Sequence, residues 1–312
     1  MFAVVGEALI DLVGSRGGRT FVAHPGGSPA NVALTLGRLG DPVRLTTRLG
    51  EDAFGELITG HLEASGVVVD RGARPWGPTS LAVASLAAGV ATYDFRLTWD
   101  VADLPPLSVE TRCLHTGSLA TVLEPGRAAV VDLVRRERER GRVTVSYDPN
   151  VRPGLLGSPA QARPDIEELV ALSDVVKVSD EDLRWLYEGE RDEDVARRWL
   201  STGPALVVVT RGGDGCFAVT KGVELRRPSM PIELVDTVGA GDSFTSGLLD
   251  GLRRADLIGG QKRHELADVD EATLRSVLDE AAVVAAITCS RPGTDPPTRA
   301  EVDAALAIPS GS

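Results

Sequence analysis

Cysteine and long apolar runs are scarce in this chain. Its three cysteines, Cys113, Cys216 and Cys289, are odd in number and far apart, which argues against a disulfide framework or a cysteine-based zinc site. No apolar run approaches the length of a membrane span, and the residues after Met1 lack the basic segment that opens a signal peptide. We therefore expect a soluble, cytoplasmic protein without a membrane partner.

Positive charge is also in short supply. A formal net charge of −12 and an isoelectric point near 4.9 argue against a nucleic-acid partner, which would require a basic surface. They do not exclude a phosphate-containing ligand, because a local cradle can bind an anion against the overall field. With 312 residues and 43% apolar content, the chain suits one large α/β domain that carries an appendage.

Two familiar nucleotide-binding motifs are missing. The chain has no G-x-x-x-x-G-K-[ST] loop, and its G-x-G segment at 239–241 is followed three positions later by Phe244 instead of glycine. Because no dinucleotide fingerprint follows the first predicted strand, a dinucleotide-dependent oxidoreductase is disfavoured. The glycine-rich segment therefore needs another explanation.

The functional interpretation depends on that segment, residues 236–244 (DTVGAGDSF). Apolar residues recur at helical spacing after Asp242, which predicts a helix that starts near this residue. The glycines allow close approach of a ligand, and the N–H groups of a helix start favour an anion. With Asp242 as a proton acceptor, the segment suits phosphoryl transfer to an alcohol. A glycine-rich turn in which Asp242 only caps the helix is an equal alternative.

Residues 25–31 (PGGSPAN) are a second cluster of turn-forming residues. Ser28 can cap a helix, and the proline that follows it suits the first helical position. The Asn31 amide would lie in the first turn beside Gly26 and Gly27, and such a corner suits a hydroxyl group. A plain helix cap is the alternative interpretation.

Strands and helices alternate along most of the chain, which predicts a mainly parallel, doubly wound sheet flanked by helices. Polar segments follow the predicted strands, where open α/β sheets bind ligands: Asp11, 148–152 (DPNVR), 179–182 (SDED) and 210–215 (TRGGDG). Each also has a plainer explanation. Asp11 can be a solvated loop residue, 179–182 a helix cap, and 210–215 a β-turn.

Insertions at about 12–25 and 72–103 interrupt the alternation within a single domain, 1–312. Period-two patterns at 80–86 and 91–97 predict a hairpin-like addition. Such a small β-sheet can serve as a lid over the site, as an oligomer interface, or as both. Phe95 can contact a substrate from this sheet, although simple packing is an alternative.

Together these segments resemble the ribokinase-like (PfkB) carbohydrate kinases. Residues 26–50 and 236–249 match the two signature patterns of that family, and DPNVR and TRGGDG lie between them in the family's order. The resemblance covers essentially the whole chain. It implies a ribokinase-like fold and ATP-dependent phosphorylation of a sugar hydroxyl.

The resemblance also implies roles for individual residues. Asp242 would be the catalytic base, and the backbone amides of Gly239, Ala240 and Gly241 would form an anion hole. The sugar would contact Asp11, Gly26, Gly27, Asn31, Phe95 and Arg152. The nucleotide would contact Lys177, Ser179, Thr210, Gly212, Gly215, Ala282 and Thr288. Mg²⁺ would bridge the phosphates through water near Asp182, and a monovalent cation such as K⁺ would lie near Asp236 and Val238.

The details of the motifs are most similar to fructokinase-type members, so we expect conversion of D-fructose to fructose 6-phosphate. 2-Keto-3-deoxygluconate kinase and ribokinase are the alternatives within the family. A protein of this fold that binds sugar without turnover is the alternative outside the enzymes. The family also leads us to expect a homodimer formed through the small sheet.

Overall fold

The computed structural model describes residues 1–15, 18–72, 77–87 and 90–307. The strands are β1 (Phe2–Val5), β2 (Leu9–Ser15), β3 (Phe21–Gly26), β4 (Val43–Thr46), β5 (Val67–Asp70), β6 (Ser80–Ala87), β7 (Val90–Arg96), β8 (Cys113–Gly117), β9 (Thr144–Asp148), β10 (Val175–Ser179), β11 (Leu206–Thr210), β12 (Cys216–Val219) and β13 (Glu224–Arg227). The α-helices are α1 (Ser28–Arg38), α2 (Ala53–Glu63), α3 (Gly126–Arg140), α4 (Pro153–Leu156), α5 (Pro159–Leu172), α6 (Asp180–Leu186), α7 (Asp192–Leu200), α8 (Ala240–Arg254), α9 (Arg263–Ala267), α10 (Glu271–Cys289) and α11 (Arg299–Leu306).

The larger sheet has the strand order β13-β12-β11-β10-β9-β8-β1-β4-β5. Its pairings are parallel from β5 to β11, and only the β11–β12 and β12–β13 pairs are antiparallel. The predicted doubly wound, mainly parallel sheet is therefore confirmed. None of the helices in the described ranges is both long and apolar enough to cross a membrane.

Both faces of this sheet are covered, as the continuous apolar strands require. In β1, Phe2 and Val4 pack into one core while Ala3 and Val5 pack into the other. Helices α1, α2, α8 and α10 contribute to the first core, and α3, α5, α6 and α7 contribute to the second. Because the strands from β5 to β11 in the sheet order are parallel, their carboxyl ends lie at the same edge of this two-sided core.

The smaller sheet has the order β3-β2-β6-β7 and is mixed: β2 pairs with β6 in parallel, and both outer pairs are antiparallel. The hairpin predicted from 80–86 and 91–97 is confirmed as β6 and β7, although its turn at 88–89 lies outside the described residues. The placement of Asp11 just past a strand is wrong. It lies inside β2, opposite His24 of β3, because the chain enters the small sheet directly after β1.

The order of the strands reverses direction at β1. From β1 the chain proceeds outward through β4 and β5, and it then returns to β8 on the other side of β1. Open α/β sheets bind ligands in the crevice outside the carboxyl ends at such a reversal. The Glu7 carboxylate, just after β1, accepts a hydrogen bond from the Ala120 N–H, just after β8, at 3.0 Å. This contact joins the segments that follow β1 and β8.

Candidate active site

The amino-terminal end of α8 is an open set of backbone N–H groups. Gly239 precedes the helix with a φ of 75°, and a Cβ there would lie 2.7 Å from Thr294 Cγ2, so the position requires glycine. Ala240 donates to the Thr237 carbonyl at 3.2 Å, whereas no acceptor in the described residues takes the N–H of Gly241 or Asp242. The helix starts slightly before the predicted position, and its free N–H groups suit an anion.

Asp242 lies in this first turn and is only 7% exposed. Its Oδ1 accepts a hydrogen bond from Ser28 Oγ at 2.7 Å, and its Oδ2 accepts one from Asn31 Nδ2 at 2.8 Å. Burial raises the pKa of Asp242, although the hydrogen bonds from Ser28 and Asn31 partly offset that rise. The carboxyl group is thus held in one orientation and made more basic than a solvated aspartate.

The predicted capping role of Ser28 is wrong. Gly27, with a φ of 103°, is the helix cap, and Ser28 is the first residue of α1. The hydroxyl of Ser28 is free to point across to Asp242 because Gly27 supplies the turn without a side chain. Asn31 likewise donates its amide to Asp242, so the amino-terminal ends of α1 and α8 meet at one carboxylate.

A buried ion pair lies behind the same turn. Lys177 Nζ of β10 donates to Asp148 Oδ2 at the end of β9 over 3.0 Å, and both side chains are nearly inaccessible. Thr245 Oγ1 of α8 also donates to Asp148 Oδ2, at 3.3 Å. Burial lowers the pKa of Lys177, but the charge and hydrogen bond of Asp148, together with the charges of Asp182 and Asp242, outweigh burial and leave that pKa raised. Lys177 is therefore a cation beneath the first turn of α8.

Two of the predicted sugar-binding residues, Asn31 and Asp11, interact with Asp242. Gly26 has no room for a side chain because the Asp11 carboxylate packs against it, and a Cβ on Gly27 would lie 2.6 Å from the Glu7 carbonyl oxygen. Burial raises the pKa of Asp11, while the charge of Arg152 lowers it. Arg152 is exposed and donates to Asn150 Oδ1 at 2.6 Å.

Phe95 packs partly buried against Leu9, Ala82 and Leu119, at the contact between the small sheet and the rest of the chain. This position supports the packing interpretation of Phe95. The polar side chain that the small sheet places against Gly26 is Asp11.

The TRGGDG segment forms the predicted tight turn. Gly212 and Gly215 adopt φ values of 51° and 86°, and the Arg211 N–H donates to the Gly215 carbonyl at 2.8 Å. Thr210 is half-buried at the end of β11. Arg211 holds the turn against α7 by donating to Asp192 Oδ2 at 2.7 Å.

The residues near the end of α10 differ in their access to this region. Ala282 is half-buried, whereas Thr288 is completely buried and its hydroxyl donates to Ser243 Oγ at 2.9 Å. Thr288 therefore joins α10 to α8 and does not face solvent. Leu234 and Val235, in the segment that leads to α8, are 62% and 55% exposed. This exposed apolar surface was not predicted.

The capping box predicted at 179–182 is confirmed: Ser179 Oγ accepts from the Asp182 N–H at 3.0 Å, and the Asp182 carboxylate accepts in return from the Ser179 N–H. Asp182 Oδ1 also accepts from the Val151 N–H at 3.0 Å. Burial raises the pKa of Asp182 to about 6. Both oxygens of Asp182 thus accept hydrogen bonds from backbone N–H groups.

Asp236 connects two loops beside α8. Its Oδ1 accepts from the Val238 N–H at 3.0 Å, and its Oδ2 accepts from the Gly293 N–H at 2.9 Å. Val238 itself is 53% exposed. Within the described ranges, no three side chains of His, Cys, Asp or Glu form a metal-binding cluster.

Three residues of this site were not selected from the sequence. Ser28 is a residue type that favours a helix cap, Asp148 lies within the DPNVR segment, and Glu7 lies close to Asp11. For Asp148 a signal existed, because it is the first polar residue after a continuous apolar strand. No local pattern indicates that Ser28 would reach Asp242, which is more than 200 positions away.

Comparison with known proteins agrees with this arrangement. Residues 1–301 match the family model described as pfkB family carbohydrate kinase. A fructokinase of Rhizobium leguminosarum bv. trifolii is 36% identical over 287 residues, which cover 88% of this chain and 86% of the relative.

Two solved structures cover nearly all of the chain. A fructokinase from Xylella fastidiosa with bound ATP is 25% identical, with a TM-score of 0.86 and 99% coverage of both chains. An aminoimidazole riboside kinase from Salmonella enterica, in complex with aminoimidazole riboside and an ATP analogue, is also 25% identical, with a TM-score of 0.80 and coverage of 98% and 99%. The chain therefore belongs to the pfkB family of carbohydrate kinases.

Proposed function

We propose that this protein transfers the γ-phosphoryl group of ATP to D-fructose and forms fructose 6-phosphate. The observation that carries the proposal is the meeting of a buried carboxylate, Asp242, with the free N–H groups at the start of α8. The name of the Rhizobium relative and the ATP bound to the Xylella enzyme support the choice of substrates.

In the proposed reaction, the 6-hydroxyl oxygen attacks the γ-phosphorus while the bond to the bridging oxygen breaks and ADP leaves. The hydroxyl proton passes to the Asp242 carboxylate. Its two oxygens each accept one hydrogen bond from the protein, so lone pairs remain for the sugar hydroxyl. The backbone amides of Gly239, Ala240 and Gly241 would stabilise the migrating group, with Ala240 sharing its N–H between that group and the Thr237 carbonyl. Phosphoryl transfer depends mainly on such positioning and charge stabilisation.

The sugar would lie between Asp242 and the small sheet, which would act as its lid. Asp11 and Arg152 would hold its hydroxyl groups, with Asn31 shared between the sugar and Asp242. Gly26 and Gly27 would let the ring approach the backbone. Phe95 would contribute by fixing the small sheet in place rather than by touching the sugar.

The nucleotide would lie along Thr210 and the turn at Gly212 and Gly215, with Ala282 beside it. The exposed segment that contains Leu234 and Val235 supports this placement, because an adenine ring would cover its apolar surface. The buried positions of Thr288 and Lys177 mean that both would act from beneath the nucleotide site. Ser179 would act by holding the start of α6.

Mg²⁺ would be bound mainly by the ATP phosphates and water, as suits a small hard ion. Asp182 would act through a water molecule, because Mg²⁺ keeps several of its water ligands and each Asp182 oxygen retains a lone pair beside the bond from a backbone N–H. The carboxylate of Asp236 and the carbonyl of Val238 are suitable oxygen ligands for K⁺. A cation there would link the loops that Asp236 already joins.

We also infer a homodimer through the small sheet. Phe21 and Val22 of its edge strand β3 expose 40% and 55% of their surface, and exposed edges of this kind are usually covered. Sedimentation at assay concentration tests this inference, and a monomer would contradict it.

The experiment that tests the function is ADP release from ATP and Mg²⁺ with a panel of acceptors, each with and without K⁺. The panel contains fructose, ribose, 2-keto-3-deoxygluconate and aminoimidazole riboside. Preferred turnover of fructose would support the proposal. Preference for another member would keep the mechanism and change the substrate, and sugar binding without ADP release would identify a non-catalytic protein.

A further inference from the structure

The ammonium group of Lys177 lies immediately behind the first turn of α8. A Cβ on Gly241 would come within 2.9 Å of Nζ, so the close approach depends on glycine at this position. Lys177 is 5% exposed, and within the described part of the chain Asp148 is the one hydrogen-bond acceptor of Nζ. An ammonium group has three N–H donors, so two are available for a further acceptor.

Asp148 fixes the place of this cation. It is 1% exposed and accepts hydrogen bonds from Lys177 and from Thr245, whose hydroxyl also contacts the Gly241 carbonyl at 3.0 Å. Asp148 Oδ1 accepts in addition from the Asn150 N–H at 3.2 Å. One carboxylate therefore ties the cation to α8 and to the loop that carries Arg152.

We propose that Lys177 is part of the anion hole, where its charge stabilises the migrating phosphoryl group from behind Gly241, and that Asp148 is the residue that positions it. This inference rests on the proposed kinase function. A charge in a dry interior is screened little by solvent, so it acts strongly on an anion bound at the adjoining N–H groups. Because the cation is held before the reaction begins, no reorganisation is needed when negative charge accumulates.

A purely structural role for the Lys177–Asp148 pair predicts a different result. If Lys177 and Asp148 only fill the interior, a neutral pair of similar shape should replace them without loss of activity. The double variant Asp148→Asn/Lys177→Met provides that pair, because the asparagine carbonyl can still accept from Thr245. The matched control is Asp250→Asn/Arg299→Met, in which a buried carboxylate farther along α8 pairs with a partly buried guanidinium of α11 at 2.7 Å.

We expect kcat of the Asp148→Asn/Lys177→Met variant to fall by about 10²-fold, the usual effect of removing one anion-hole group. KM for sugar and for ATP should stay near the wild-type values, and the control pair should retain its kcat. Inhibition by ADP with aluminium fluoride, a mimic of the phosphoryl group in transfer, should weaken, while binding of ADP alone stays unchanged.

A double variant with wild-type kcat and wild-type inhibition would overturn the inference and leave the kinase function intact. Absence of sugar-dependent ADP release by the wild-type protein would overturn both. If the double variant does not fold, the single Asp148→Asn variant decides. It keeps the cation without its anchor, so the inference requires a lower kcat at an unchanged KM, and an unchanged kcat overturns it.

Discussion

Replacement of Asp242 by asparagine should separate the chemistry of this site from its stability. The side chain keeps its size, but it can no longer accept the proton of the sugar hydroxyl. General-base catalysis contributes about 10²–10⁴-fold, which corresponds to about 2.7–5.5 kcal/mol of activation free energy. We therefore expect kcat for Asp242→Asn to fall by that factor, as measured by ADP release at saturating ATP and sugar.

The fold should tolerate the same change. Burial raises the pKa of Asp242, so the ionised form is less favourable in the folded state than in the unfolded chain. That penalty grows as pH rises through the folded pKa, and asparagine removes it. Against this gain, the new amide can accept from Ser28 but faces the donor of Asn31, which costs one hydrogen bond or about 0.5–1.5 kcal/mol. The thermal midpoint should stay within about 4 °C of wild type.

Asp250→Asn is the control on the same helix. Asp250 is fully buried and paired with Arg253 and Arg299, far from the helix start, so its replacement should lower the thermal midpoint while kcat is kept. Near wild-type turnover of Asp242→Asn would refute its role as the base. Equal loss of stability in both variants would refute the reasoning about the buried charge.

Three other changes have distinct expected results. Burial raises the pKa of Glu7 to about 7, so its contribution to stability is full below about pH 4.5 and is lost as pH rises through 7. The Glu7→Gln variant lacks this titration, so its thermal midpoint should differ less between pH 5 and pH 8 than that of the wild-type protein. Ser28→Ala removes a donor from Asp242, which should shift the acid limb of the kcat profile to higher pH and lower kcat there by about tenfold. Arg211→Met loosens the TRGGDG turn and should raise KM for ATP by about two- to fivefold, with KM for sugar unchanged.

Matched variants serve as controls for two of these predictions. Ser246→Ala removes a buried hydroxyl that contacts the backbone of Asp242 instead of its carboxylate, so the pH profile should not move. Arg211 and Arg226 both donate to Glu193 Oε1, at 2.9 and 2.8 Å. Because Arg226 lies outside the turn, Arg226→Met should leave KM for ATP unchanged. If Ser246→Ala shifted the pH profile as much as Ser28→Ala, or Arg226→Met raised KM for ATP as much as Arg211→Met, the corresponding prediction would be contradicted. An unaltered pH dependence of stability in Glu7→Gln would contradict the prediction for Glu7.

Much of the fold was predictable from the sequence, because the signals are local. Apolar strands followed by polar turns predicted the doubly wound sheet, and the SDED segment predicted the capping box that Ser179 and Asp182 form. The prediction failed where a residue's partner is distant. Ser28 has the composition of a cap, yet Gly27 caps the helix and Ser28 bonds to Asp242. The local sequence predicts that Asp11 lies in a loop, but the pairing of β2 with β3 and β6 places it inside a strand.

By itself, the sequence determined the class of the protein and the segments that form its site, since backbone preferences of glycine, helix starts and strand periodicity act over a few residues. Only the tertiary structure decided which side chains meet. The pairing of Lys177 with Asp148, and the convergence of Ser28 and Asn31 on Asp242, follow from the order of strands in the sheet and the packing of α1 against α8. Such contacts join residues from 29 to 214 positions apart, and no local pattern encodes them.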